Sequence, residues 1–220
     1  MHLVVMQLNT RNNMKIYDIS WPLDSRTTGY KNKKVLTIEH RKTFEQDQFR
    51  ETSIMLDTHG GTHIDAPSHF IQDGNSIEKI NLNNLIGPCK VIDLMHIADA
   101  IKAEDLQQVD IVAGDRIILK TKNSLLAYDA PFEPNFIYFD HSAACYLADK
   151  KIIAVGIDYL GIERNQPAHE THITLMNADI IIIEGLRLAQ INPGSYMLYC
   201  LPLALQELEG APARAVLIEE

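Results

Sequence analysis

Apolar and polar positions alternate over short stretches through much of this chain, and long helical stripes are scarce. Residues 15–19, 35–39 and 51–57 read as strands, the last with Ile54 and Leu56 on one side. Unbroken apolar runs predict buried strands at 89–94, entered from a Gly87-Pro88 turn, and at 116–120, entered from Gly114-Asp115. Further strands are expected at 136–139, 152–155, 195–200 and 215–218. The four isoleucines at 180–183 predict another, since β-branched side chains suit a buried strand.

Helices are fewer. Residues 103–108 form a short candidate. A second runs over 142–149, capped by Ser142, with Ala144, Leu147 and Ala148 on its packing face. A third, 203–208, would start at Pro202 and end at Gly210. The pattern predicts a mixed α/β domain with a strongly β core. Strands are not regularly separated by long helices, so a plain doubly wound sheet is not expected.

A length of 220 residues suits one hydrophobic core. Residues 15–220 are expected to form a single domain, and residues 1–14 a tail or alternative-start region, with Met14 a second candidate start. The N-terminal apolar patch is too interrupted for a signal peptide, and the longest apolar stretch, 197–205, is too short to span a bilayer. Cytoplasmic residence, with no membrane partner, is the expectation.

The formal charge of -9, with 29 acidic against 20 basic residues, argues against a nucleic-acid partner. Lys31, Lys33 and Lys34 make the densest basic cluster and read as a solvated loop; an anionic small substrate remains open, since a single local Arg or Lys could bind it. The three cysteines are far apart and form no CxxC pair, so neither a thiolate zinc site nor a disulfide framework is expected. Cys89 and Cys200, among apolar neighbours, read as small core residues.

Chemistry concentrates in one segment. Three of the nine histidines, His59, His63 and His69, fall within eleven residues, with Asp65 among them. Imidazole and carboxylate are good ligands for zinc and other divalent first-row metals. Gly60-Gly61 and Pro67 disfavour a helix here. In a straight strand His59 and His63 would stand about 13 Å apart, so sharing an ion requires a bend, which the glycines permit. His63 and Asp65 have the same strand parity, and Pro67 could turn His69 back over the site. A polar surface turn is the bland alternative, and serine chemistry at Ser68 lacks a nucleophile-elbow pattern.

The same segment resembles the cyclase-like metal hydrolases, a family that includes bacterial kynurenine formamidases (arylformamidases) and isatin hydrolases. Its H-x-G-T-H-x-D-x-P-x-H signature stands here as His59-Gly60-Gly61-Thr62-His63-Ile64-Asp65-Ala66-Pro67-Ser68-His69. A second block also matches, from His172 to Glu184-Gly185-Leu186 at the family's spacing, and Val155–Asp158 and Tyr17–Ser20 resemble shared segments. The resemblance implies a swivelling β/β/α domain and a homodimer or homotetramer. It implies His59, His63 and Asp65 as ligands of one ion, with Asp65 bridging to a second held by His172, and Glu184 in the shell of both. A one-ion version would leave His172 and Glu184 to shape the pocket. Zn2+, as one or two ions, or alternatively Mn2+, would be the metal, and His69 the catalytic acid/base. Tyr30 stands where formamidases carry a substrate-facing tryptophan; Trp21 comes too early.

On their own, Glu184 needs compensation if buried, His169 is as visible as His172 and is expected behind the ligands, and Asp158 reads as a loop hydrogen-bonding residue. The implied activity is metal-dependent hydrolysis of a non-peptide carbon–nitrogen bond in a small aromatic amide. The resemblance makes this an aryl formamide such as N-formylkynurenine, in tryptophan catabolism. Isatin-type cyclic amide hydrolysis, cyclisation and a non-catalytic metal-binding protein are the alternatives.

Overall fold

The computed structural model describes residues 14–219; all of the expected tail at 1–14 except Met14 lies outside them. In chain order the strands are β1 (Lys15–Asp18), β2 (Leu36–Lys42), β3 (Glu51–Leu56), β4 (His63–Asp65), β5 (Ile86–Asp93) and β6 (Ala100–Ile101). They continue as β7 (Arg116–Lys120), β8 (Tyr138–Phe139), β9 (Ala154–Ile157), β10 (Ile181–Glu184), β11 (Gly194–Pro202) and β12 (Gly210–Glu219). Helices α1 (Phe44–Asp47) and α2 (Ala103–Leu106) are single turns; α3 (His141–Lys150) and α4 (Glu170–Asn177) are longer.

Eight strands form one sheet in the order β1-β12-β11-β5-β7-β9-β10-β4, and β12 also pairs with β4. That last pairing closes seven strands into a barrel, with β1 alongside β12. The mixed α/β expectation with a β-rich core holds, and closure explains why a doubly wound sheet fits poorly. β5, β7, β9 and β10 run parallel and are covered on both faces, which accounts for their unbroken apolar runs. Ile118, Ile181, Ile183 and Ile64 point into the barrel. Ile117, Leu119, Val155, Ile157 and Ile182 point outward and pack with Leu147 of α3 and Leu175 of α4. Cys89 and Cys200 are in the barrel core as expected, and burial pushes both thiols up to about 12.

Several expectations need correcting. Gly87-Pro88 is not a turn but part of β5. Pro88 faces Met197 of β11, while pairing with β7 starts only at Lys90, so its missing N–H costs no ladder bond on that side. Helix α3 is capped by Asp140, which accepts from the Ser142 N–H, rather than by Ser142. The segment 203–208 is irregular, not helical. Its backbone bonds go to neighbours instead: Leu203 N–H to Pro212 O, and Ile77 N–H to Leu208 O. Helix α4 and strand β4 went unread in the sequence, and both carry the site.

Candidate metal centre

The pairing of β4 with β10 sets the site. His63 lies opposite Glu184, Ile64 opposite Ile183, and Asp65 opposite Ile182. Directly paired residues share a face, so with Ile64 and Ile183 inside the barrel, His63, Asp65 and Glu184 all face outward. There α4 presents His172. Before β4 the chain turns at Thr58-His59 and bends through Gly60-Gly61, with Gly61 at φ +68°. The His59 and His63 ring centroids are therefore 5.0 Å apart. After β4, Pro67–His69 forms one 3-10 turn, and His69 stacks on His59 at 4.1 Å. The bend and the return of His69 are as expected.

Two other glycines hold this arrangement. Gly185 has φ +70°, and a Cβ there would overlap the Gly61 carbonyl oxygen. Gly210, expected to end a helix, instead opens β12, where a Cβ would come within 2.9 Å of the His59 ring.

The polar atoms converge. His63 Nδ1 is 2.9 Å from the Gly61 carbonyl oxygen, to which it donates, leaving the Nε2 lone pair free. Nε2 lies 3.3 Å from Glu184 Oε2 and 3.4 Å from Asp65 Oδ1, yet is aligned for a hydrogen bond with neither. His172 Nε2 is 3.3 Å from Glu184 Oε1 and 3.5 Å from Asp65 Oδ2, and His59 Nδ1 is 2.9 Å from Asp65 Oδ1. His63, Asp65 and Glu184 are each at most 4% exposed. Burial opposes ionisation of all three, and their mutual attraction outweighs it. Burial lowers the His63 pKa, but Glu184 and Asp65 lift it to about 9. Burial and Asp65 raise that of Glu184, but His172 and His63 bring it to about 2. Asp65 is held well below the ordinary carboxylate value against its own burial, chiefly by His172 and His59.

Buried carboxylates this close together demand positive charge, met either by protons on the imidazoles or by a divalent cation. The orphaned His63 Nε2 between two carboxylates, with a second imidazole opposite, suits a cation better than a proton. Ligand atoms of His63, Asp65 and Glu184 lie within 4.8 Å of one another, as do those of His59, Asp65 and His69. His69 is thus within ligand range of the cluster. Burial lowers its pKa, partly offset by Asp65.

One residue of this neighbourhood was missed. Glu163, 6% exposed, sets Oε2 2.9 Å from His172 Nδ1 and Oε1 2.5 Å from His169 Nδ1. His169 thus sits behind His172, as expected. Glu163 carries no spacing signal; only its place between Ile162 and a loop arginine marks it. Asp158 is a loop anchor, accepting from the backbone and hydroxyl of both Thr121 and Ser124.

A cleft of about 350 Å³ opens over the cluster, walled by Tyr30, Val35, Phe70 and Leu160. Tyr30 reaches it as expected, edge-on to Phe132. Trp21 does not; it is buried against Tyr159 and donates Nε1–H to Tyr128 O. Lys33 lines the cleft, so the basic loop is not merely solvated. Ser68 is not among the lining residues.

A closed mixed barrel bearing an outward cluster of three imidazoles and two carboxylates is a scaffold for a divalent cation. The chain belongs to the cyclase family, whose model, described as "Putative cyclase", matches residues 17–164. It is 36% identical over 177 residues to cyclase-like protein 3 of Oryza sativa subsp. japonica, covering 76% of this chain but only 65% of the rice protein. It is 30% identical to a kynurenine formamidase of Salinibacter ruber, covering 80% of this chain and 84% of that one. A solved structure described as a potential metal-dependent hydrolase with cyclase activity is 45% identical, with TM-score 0.86, covering 94% and 98%. An isatin hydrolase bound to thioisatinate shares the fold at 23% identity, with TM-score 0.81, covering 94% and 92%.

Proposed function

We propose that this chain is a divalent-metal-dependent hydrolase of non-peptide carbon–nitrogen bonds, acting on a small aryl formamide of the N-formylkynurenine type. The observation that carries it is the unpartnered His63 Nε2, buried against Asp65 and Glu184. The kynurenine formamidase relative and the 45%-identical metal-dependent hydrolase support the reaction class.

His59, His63 and Asp65 would hold one ion, with His172 and Glu184, beside Asp65, available to a second; Zn2+ is the first choice and Mn2+ the alternative. A bound divalent ion supplies Lewis acidity and lowers the pKa of water. His69 would take the proton that water loses as its oxygen bonds to the formyl carbon, and deliver it to the nitrogen as the carbon–nitrogen bond breaks, giving formate and the free amine. Its ring is held neutral by burial and fixed by stacking on His59. Tyr30 and Phe70 flank the aromatic ring of the substrate, and the apolar wall limits bulk water. Cytoplasmic residence and a homodimer or homotetramer belong to the same proposal. Among the described residues, no helix is long and apolar enough to cross a membrane.

Isatin-type ring opening is the second choice, favoured by the shared fold and an aromatic-walled cleft. Protein of measured metal content, assayed with N-formylkynurenine and isatin side by side, separates the two. Hydrolysis of neither, nor of any member of a broad amide and lactone panel, would remove the enzyme proposal and leave a metal-binding protein.

A further inference from the structure

Helix α4 begins in an unusual way. The two residues before it, Ala168 and His169, have φ +54° and +53°, and His169, at the N-cap, makes no side-chain capping bond. The third helical residue is His172, whose backbone N–H is one of those a helix start leaves without an internal partner. That N–H donates to Glu163 Oε2 at 3.3 Å. The same oxygen lies 2.9 Å from His172 Nδ1, at ion-pairing distance but off the line of a hydrogen bond, while Oε1 faces His169 Nδ1 at 2.5 Å. Glu163 is itself fixed from behind, because the Ile162 N–H donates to Glu184 Oε1 at 2.6 Å. One carboxylate therefore meets the start of α4, the inner edge of the His172 ring and the residue that opens the helix.

We propose that Glu163 is the positioning residue of the metal centre: it caps α4 and sets its charge against His172 Nδ1, so that the ring turns Nε2 toward Asp65 and Glu184. This rests on the metal-binding proposal above. A ligand histidine oriented through its second nitrogen keeps one tautomer and one ring direction, and losing such a partner typically weakens metal binding by about 10–100-fold. His169, more than half exposed, holds the carboxylate from its outer side and is the lesser partner.

The test uses the whole chain, stripped with a chelator and titrated with Zn2+ by calorimetry, then with Co2+ followed by its visible d–d bands. Glu163→Gln keeps an oxygen able to cap the helix but cannot hold the imidazole as a carboxylate does. The expected result is cooperative unfolding like wild type, Zn2+ binding weakened about 10–100-fold for at least one ion, and an altered Co2+ spectrum. Wild-type affinity and spectrum in that variant would mean that Glu163 only caps the helix, and would overturn the proposal. If Glu163→Gln does not fold, Glu163→Asp keeps the charge on a shorter arm; weakened Zn2+ binding supports the proposal and unchanged binding overturns it. A wild-type chain that takes up no divalent ion would remove the metal centre and this inference together, whereas normal wild-type binding with an unaffected variant removes this inference alone.

Discussion

Gly185→Ala tests how the strands that carry His63, Asp65 and Glu184 are locked together. At φ +70° an alanine pays about 1–2 kcal/mol of left-handed strain. Its methyl would also overlap the Gly61 carbonyl oxygen and stand 2.7 Å from the Gly61 carbonyl carbon. Neither atom can rotate aside, because both belong to the backbone leading into β4. Relief requires the Gly61–Thr62 segment to withdraw. That strains the buried bond from Thr62 Oγ1 to Gly185 O, 2.5 Å, and the one Thr62 Oγ1 accepts from Trp21 N–H, 2.7 Å. At about 1 kcal/mol for each of the two weakened bonds, the total loss is about 3–4 kcal/mol. His63, one residue further on, would move relative to Glu184, so metal affinity should fall as well. The control is Gly114→Ala, at φ +86° with nothing within 4 Å of the added methyl, which carries the strain alone. Urea unfolding of both metal-free variants, paired with Zn2+ titration, reads the difference. Equal destabilisation in the two variants, with Zn2+ affinity intact in Gly185→Ala, would refute this account of the lock.

Other expectations follow from the same site. His69→Ala should abolish hydrolysis of an aryl formamide while leaving most metal bound; loss of metal, measured by elemental analysis, would make His69 a ligand instead. Metal-free protein should change stability at both ends of the pH range. His63, raised to about 9, contributes fully below about 6.5 and loses its contribution as pH climbs through 9. Glu184, lowered to about 2, contributes above about 4.5 and loses it as pH falls towards 2. Melting temperature against pH should therefore decline from neutral to pH 9 in chelated protein, with saturating Zn2+ flattening the alkaline side; a flat profile in chelated protein would contradict the assigned cluster charges. Lys33→Ala should raise KM several-fold for a carboxylate-bearing aryl formamide with kcat nearly unchanged; an equal effect on an uncharged aryl formamide would exclude an anion-binding role.

The H-x-G-T-H-x-D segment was legible because its bend, its strand parity and its chemistry all lie within a dozen residues. The four isoleucines likewise announced β10, and Glu184 at their end announced a buried carboxylate needing a partner. Helix α4 was hidden because it begins without a capping side chain of its own and includes the β-branched Thr171, Ile173 and Thr174. Glu163 was hidden for a related reason: its partners belong to the following turn and helix, so the contact exists only once the chain folds back. The false helix at 203–208 had a good starting proline and a good ending glycine. What overrode them was backbone pairing to Pro212 and Ile77, which local preference does not register.

Closure of the barrel by β12 also fixes when the centre can come into being. Residues 210–212 of that strand pair with His63–Asp65, Ala66 N–H bonds to Glu209 O, and the Thr58 hydroxyl reaches Glu209 across 151 positions. As the chain leaves the ribosome, the histidine-rich bend therefore waits for a strand whose contact at Glu209 lies 151 positions beyond Thr58 before its outer edge is clamped. Under the proposed metal-binding role, a nascent chain stalled before residue 209 is expected to hold a divalent ion more loosely than the folded chain.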